Sequence, residues 1–175
     1  MTLHVALLHS IVLGPGRRLV MTDLRAMAEA LGYRNPRTLV ATGNLVFEAE
    51  GETIAGIEQR LEEAFRARFG KHVDIILRSA AAWNRLATGN PFPGDDGANV
   101  GVRVMRTPLA AAVLPRLEQI AGPELGLALV DGDLWIDFRR KPSETRLLSH
   151  LTTKKLGIGT LRNANTVNGL AKMLG

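Results

Sequence analysis

The residues with chemistry to offer in this chain are few. They are a glycine loop followed by two arginines, a Thr-Gly-Asn turn, four histidines, two close carboxylate pairs and a basic C-terminal stretch. The loop Gly14-Pro15-Gly16-Arg17-Arg18 lies between an apolar strand-like run and a helical pattern. Backbone N–H groups and a helix N-terminus at such a place can hold an anion, with Arg17 and Arg18 adding charge. Pro15 removes one donor. No Lys-Ser/Thr follows as a phosphate-cradling P-loop requires, and the third glycine of a dinucleotide fingerprint is missing. Two readings stand, an anion site and an exposed basic connection. Thr42-Gly43-Asn44 likewise offers a hydroxyl and an amide to a ligand, or simple turn chemistry, since Gly and Asn tolerate positive φ.

Other chemistries lose their reagents. His4, His9, His72 and His150 show no helical ligand spacing and no His-Glu-x-x-His. On a regular strand His4 and His9 face opposite ways, so no metal site is expected. There is no Gly-x-Ser-x-Gly elbow. The chain has no cysteine, which excludes a thiol nucleophile, disulfides and a Cys-based zinc site. Asp131/Asp133 and Asp95/Asp96 lie in turns and read as solvated turn formers. No cofactor is expected.

Charge is more informative. Residues 139–175 hold eight Lys and Arg against the single acid Glu144, a net +7. The whole chain is +5, so the remainder is −2. Arg139, Arg140, Lys141, Lys154 and Lys155, with Arg162, form a candidate surface for nucleic acid or another polyanion. The competing reading is a solvated face over apolar stems. Trp135 shares a strand face with Asp137 and Arg139, and is either an accessible aromatic beside cations or a buried one. Phe47 shares a face with Leu45 and reads as core, so the first half presents no base-stacking platform.

The elements that must position these groups follow from hydrophobic period. Leu3–Leu8 reads as a buried strand. Met21, Leu24, Met27/Ala28 and Leu31 have helical spacing, with Gly32 as the stop. Arg37–Ala41 and Asn44–Glu48 read as strands around Thr42-Gly43. Thr53 opens a helix ended by Gly70, with Glu58, Glu62 and Arg66 on its wet side and a Glu62–Arg66 ion pair. Val73–Arg78 reads as a strand, and Ser79 caps a short helix to Ala87. The order β-α-β-β-α-β is that of a ferredoxin-like unit.

Residues 89–97 are rich in Gly, Pro and Asp and have no period. They divide a half at 1–88 from a second at 98–175. Val100, Val102 and Val104 alternate as a half-buried strand. Thr107-Pro108 reads as the start of a helix burying Leu109, Val113, Leu117 and Ile120. Asp131-Gly132 is a hairpin turn between Leu125–Val130 and Asp133–Phe138. Ser143 opens a helix to about Lys155, Gly159–Arg162 is a short strand, and Asn165 caps a terminal helix. The chain thus reads as α+β, two similar ferredoxin-like halves in tandem, each an antiparallel sheet with helices on one face.

At this level specific residues carry a family likeness. Val5-Ala6-Leu7-Leu8 precedes a glycine loop, and Met21-Thr22-Asp23-Leu24-Arg25 leads to Leu31-Gly32-Tyr33. There follow Thr38, Thr42-Gly43-Asn44-Leu45-Val46-Phe47, Asn90-Pro91-Phe92-Pro93, Lys155-Leu156-Gly157, Arg162-Asn163 and Thr166-Val167. In this order, and across essentially the whole chain, the sequence resembles the family known as domain of unknown function 1697. The resemblance implies a ferredoxin-like α+β fold and no activity. The family's first loop usually reads Arg-Gly-Ile-Asn-Val-Gly-Gly where this chain has His9-Ser10-Ile11-Val12-Leu13-Gly14-Pro15. Its C-terminal Arg-Asn-Trp-Arg-Thr is here Arg162-Asn163-Ala164-Asn165-Thr166. Any family site at those positions is altered in this chain.

With 175 residues, 46% hydrophobic and 22% charged, the chain can bury a core and is not disordered. The longest apolar runs are strand-sized, and Met1–Val5 lacks the features of a signal peptide, so a cytoplasmic, membrane-free protein is expected. Three functional expectations follow. The first is a non-catalytic polyanion binder using the C-terminal cations. The second is a site for a phosphate-bearing small molecule between the halves, enzymatic or not, built from Thr42, Gly43, Asn44, Arg162 and Asn163 with the Asn90–Pro93 connector. The third is a homodimer pairing through a sheet edge.

Overall fold

A computed structural model describes residues 1–175. The chain forms two compact units, Met1–Asn84 with Gly169–Gly175, and Arg85–Asn168. The elements are β1 (Thr2–Leu8), β2 (Val12–Gly14), β3 (Arg17–Arg18), α1 (Met21–Ala30), β4 (Arg34–Thr38), β5 (Asn44–Ala49), α2 (Ile54–Phe69), β6 (Ile75–Ser79) and α3 (Ala80–Thr88). They continue with β7 (Val100–Met105), α4 (Val113–Ala121), β8 (Gly126–Val130), β9 (Asp133–Asp137), α5 (Thr153–Leu156), β10 (Gly159–Asn163) and α6 (Ala164–Met173). No helix is long and apolar enough to cross a membrane.

Each unit carries a four-stranded antiparallel sheet, ordered β4-β5-β1-β6 in the first and β10-β7-β9-β8 in the second. In both, the strand that comes first in the unit lies beside the third and fourth strands, and the second strand is at the edge. That is the ferredoxin-like order, and it occurs twice. The α+β tandem architecture stands.

The first unit's helical face buries Ala6, Leu8, Leu45, Phe47, Ile75 and Leu77 against Leu24, Met27, Ala28, Ile57, Leu61 and Phe65. The helices begin and end where their sequence says. Thr53 Oγ1 accepts from Gly56 N at 3.0 Å, and Gly70 closes α2 at φ +74°. Glu58 and Glu62 are not simply solvated. Glu58 is buried and accepts from Leu77 N, and Glu62 accepts from Ile75 N, both at 3.0 Å. These carboxylates satisfy outward N–H groups of β6, an edge strand that would otherwise present them unpaired.

The glycine loop is itself a small hairpin, β2 with β3. β4 begins and ends three residues earlier than expected. Leu39–Gly43 is a loop folded back on Asn44, with Val40 at φ +49° and largely exposed. β-branching at Val40 disguises this loop as a strand.

The second unit departs further from its sequence pattern. β7 is buried on both faces, not one. Thr107–Ala112 is not helical; α4 starts at Val113, and Ile120 is 40% exposed. Leu109 N donates to Gly132 O at 2.9 Å, so this stretch is held on the tip of the β8–β9 hairpin. That tip has Asp131 at φ +51° and Gly132 at φ +82°, the pair of positive angles of a type I′ turn. In place of the helix expected from Ser143 to Lys155 stand two 3₁₀ turns, Pro142–Glu144 and Leu147–His150, and the single turn of α5. Leu147 and Leu151 join Leu117, Leu134, Ile136 and Phe138 in the core. Short turns place the segment's few apolar residues inward without a continuous amphipathic stripe.

One buried group gives the first unit a pH dependence. His4 is 5% exposed and stacks on Phe47, centroids 5.7 Å apart, with no partner for its buried Nδ1. Burial pushes its pKa below the usual 6.5, partly offset by the Thr2 backbone and the Glu52 carboxylate. The unfolded chain therefore takes up this proton first. The His4 contribution is intact above about pH 6.5 and is lost as the pH falls below it. His4→Phe keeps the ring stack and removes the titration. Denaturant midpoints between pH 7.5 and 5.5 are expected to fall less in the variant than in the parent.

Candidate functional site

Of the residues singled out in the first unit, Arg17 and Arg18 stand exposed on β3. Thr42, Gly43 and Asn44 come together, but as a turn closed on itself. Asn44 is fully buried, and its Nδ2 donates to Thr42 Oγ1 at 2.8 Å and Leu39 O at 3.0 Å. Gly43 sits at φ +85°, and a Cβ there would lie 2.9 Å from Leu8 Cβ. These residues lock a loop onto the sheet. An open groove of about 630 Å³ elsewhere in the unit is lined by Glu29, Asn35, Pro36, Arg37 and Glu48. Its two carboxylates offset its one guanidinium, so it offers no anion selectivity.

In the second unit the predicted residues separate. Asn163 Oδ1 accepts from Thr166 N at 2.9 Å, which makes Asn163, not Asn165, the cap of α6. Arg162 is buried, and its guanidinium donates to Thr160 Oγ1 and Leu161 O. Burial lowers its pKa to about 10, still charged at neutral pH. Trp135 is fully buried, which rules out the accessible-aromatic reading.

The carboxylates are also placed differently from expectation. Asp133 is buried and accepts from Met105 N at 2.8 Å, so it is not a solvated turn former. Asp96 is one, accepting from Ala98 N. Asp95 turns to Asp137 instead, a pairing hidden by 42 residues of separation. Burial first, and the Asp95 carboxyl next, raise the Asp137 pKa, while Arg139 lowers it.

The exposed cations do not act alike. Arg139 Nε lies 3.8 Å from Asp137, and Arg140 is ion-paired with Glu124. Lys154 and Lys155 sit on α5, whose Thr152 cap accepts from Lys155 N at 3.3 Å. Lys155 joins two residues absent from the sequence-based candidates, Arg116 on α4 and His150 at the end of a 3₁₀ turn. With Leu117, Ile120 and Leu156 they line a pocket of about 290 Å³. The three apolar side chains give it a hydrophobic floor. Lys155 Nζ lies 3.0 Å from His150 Nδ1, the ammonium donating and the ring nitrogen accepting. The pocket thus joins an apolar floor to three basic side chains. Ile120, expected from its spacing to be buried, is instead 40% exposed at this pocket.

A buried arginine anchors the pocket's wall. Arg103 on β7 is 2% exposed and donates to Leu151 O at 3.1 Å and Gly157 O at 2.9 Å, clamping both ends of the α5 segment. Desolvation lowers its pKa. Arg103→Met is expected to leave both carbonyls unpaired, at a cost of about 2–3 kcal/mol. Amide exchange at 152–158 should accelerate more than elsewhere in the unit. Lysine should not restore it, because one ammonium cannot reproduce a planar fork spanning two acceptors.

Comparison with known proteins agrees with this architecture and assigns no chemistry to it. The conserved bacterial protein SP0830 from Streptococcus pneumoniae superposes with a TM-score of 0.75 at 22% identity, over 99% of each chain. At that identity the likeness is one of fold. No curated protein matches the sequence. The model of a family described as proteins of unknown function, DUF1697, matches residues 1–135, which include Met1–Asn84 of the first unit and, in the second, β7, α4 and β8, and stop short of His150 and Lys155. With that match over most of its length and the ferredoxin-like order repeated in both units, the chain belongs to the DUF1697 family.

Proposed function

We propose that this protein binds a phosphate-bearing small molecule in the pocket of its second unit. Arg116, His150 and Lys155 meet the anion, and Leu117, Ile120 and Leu156 take the apolar body. The observation that carries this reading is the convergence of three basic side chains on one apolar-floored pocket. A phosphate at such a rim gains charge-assisted hydrogen bonds, and the partly desolvated surroundings strengthen them. The reading is one of binding. Phenyl phosphate is a suitable probe, since it offers both halves of the ligand. In calorimetric titration it is expected to bind more tightly than inorganic phosphate and more tightly than phenol. Equal affinity for phosphate and phenyl phosphate would remove the apolar floor from the argument, and no binding by either would refute the site.

A second reading is supported by exposed Lys141, Arg146 and Lys154 on the same segment. A polyanion such as RNA laid along residues 139–155 would use them together. Salt separates the two. Polyanion binding falls steeply with salt, by a log–log slope of about −0.7 per phosphate contact for a single strand. Binding of one phosphate in the pocket gives a slope near −1 or shallower.

A further inference from the structure

The first unit carries a second cluster, unrelated to the pocket. Glu62 on α2, and His72 and Asp74 on the turn leading to β6, bring one potential ligand atom each within 4.8 Å of one another. We propose that these three side chains bind a divalent cation of the zinc class.

The geometry is close to that of a ligand set. His72 Nε2 and Asp74 Oδ1 are 2.9 Å apart. Ligand atoms bound at about 2.0–2.2 Å around one metal lie about 3–3.5 Å from each other. A gap of 4.8 Å therefore closes by at most about 1.8 Å, within the freedom of a His72 side chain that is 57% exposed. A cation would replace the His72–Asp74 contact with two stronger bonds.

Two of the three ligands are already fixed by backbone hydrogen bonds. Glu62 Oε2 accepts from Ile75 N at 3.0 Å, which orients its carboxylate toward the turn. Asp74 O accepts from His9 N at 3.0 Å, which fixes the main chain that carries its side chain. Gly70, in the left-handed region, sends the chain back from the end of α2 so that residues 72–74 return alongside Glu62. Lys71, inside the same turn, directs its ammonium to Val12 O at 2.8 Å.

The donor set defines the metal class. One imidazole nitrogen with two carboxylates, and no thiolate, suits borderline divalent ions such as Zn²⁺. Mg²⁺ and Ca²⁺ prefer oxygen alone. Two carboxylates also neutralise the divalent charge. Three protein ligands leave a coordination position for water or an incoming group. Sequence spacing concealed the set because Glu62 belongs to a helix and precedes His72 by ten residues.

The test uses the full-length, chelator-treated protein and Zn²⁺ alone, followed by calorimetry and by thermal unfolding. One Zn²⁺ per chain is expected, with a rise in the unfolding temperature and no response to equimolar Mg²⁺. His72→Ala should weaken binding at least tenfold while leaving the circular dichroism spectrum unchanged. Glu62→Gln, which retains an oxygen acceptor for Ile75 N, should do the same. His4, His9 and His150 remain in both variants, so adventitious histidine binding would survive the changes. Absence of stoichiometric uptake by the parent protein, or unchanged affinity in His72→Ala, overturns the proposal.

Discussion

Reversing both strong cations of the pocket, Arg116→Glu with Lys155→Glu, is expected to reduce phenyl phosphate affinity by at least about 100-fold, or about 2.7 kcal/mol. The magnitude follows from charge. Two attractive contacts become two repulsive ones at a site partly screened from water, where one unit-charge pair at about 4 Å is worth between about 1 and 4 kcal/mol. Both residues are exposed, so neither change opens a cavity or strands a buried group. Stability should move by less than about 0.5 kcal/mol. Arg139→Glu with Arg140→Glu is the control. It alters net charge equally, but on residues already paired with Asp137 and Glu124. If the two double variants weaken binding alike, the ligand senses only the general field of the basic region, and the pocket is not its site.

Gly132→Ala is expected to cost the second unit about 2–4 kcal/mol. Backbone handedness contributes about 1–2 kcal/mol, because Gly132 lies at φ +82°. Overpacking contributes the rest, since a Cβ there would come within 2.6 Å of Pro108 Cα, and backbone yields less readily than a side-chain end. Asp131→Gly, one residue earlier, does the reverse: it removes a side chain held at φ +51° and adds no atom, so it should be neutral or slightly stabilising. Denaturant midpoints of the two variants give the comparison. A Gly132→Ala protein as stable as its parent would mean that Thr107–Ala112 is free to leave the hairpin tip.

That tip illustrates where local sequence is sufficient and where it is not. Asp-Gly between two apolar runs admits few backbone solutions, and the turn forms where expected. Thr107-Pro108 also looks decisive as a helix start, yet the chain there is laid over the turn. A tertiary hydrogen bond from Leu109 to Gly132 takes the place of the first helical turn. The same contrast holds between α2, whose cap, stripe and terminal glycine agree, and residues 143–155, where the helical spacing of Leu147, Leu148 and Leu151 covers little more than one turn and the hydrophobic residues are buried by short turns.

Candidate residues divided in a similar way. Thr42, Gly43 and Asn44 were legible as a group but not in role. Their polar atoms serve one another and the loop, because a buried amide must be satisfied where it lies. Arg162 and Asn163 are adjacent in sequence and unlike in structure, one guanidinium buried on β10 and one side chain capping α6. Arg116, His150 and Lys155, and separately Glu62, His72 and Asp74, share no spacing that a motif could register.

Residue order alone sufficed for the succession of the main strands and helices, most of their boundaries in the first unit, the two-fold repetition of the sheet and the concentration of positive charge after residue 138. These are local or additive properties, set by hydrophobic period, caps, turns and counting. Folding in three dimensions was needed to settle which cations are engaged by carboxylates, which polar groups are buried, and which side chains from distant segments share a pocket. Those depend on contacts between elements far apart in the chain, whose geometry is fixed by packing rather than by any spacing along it.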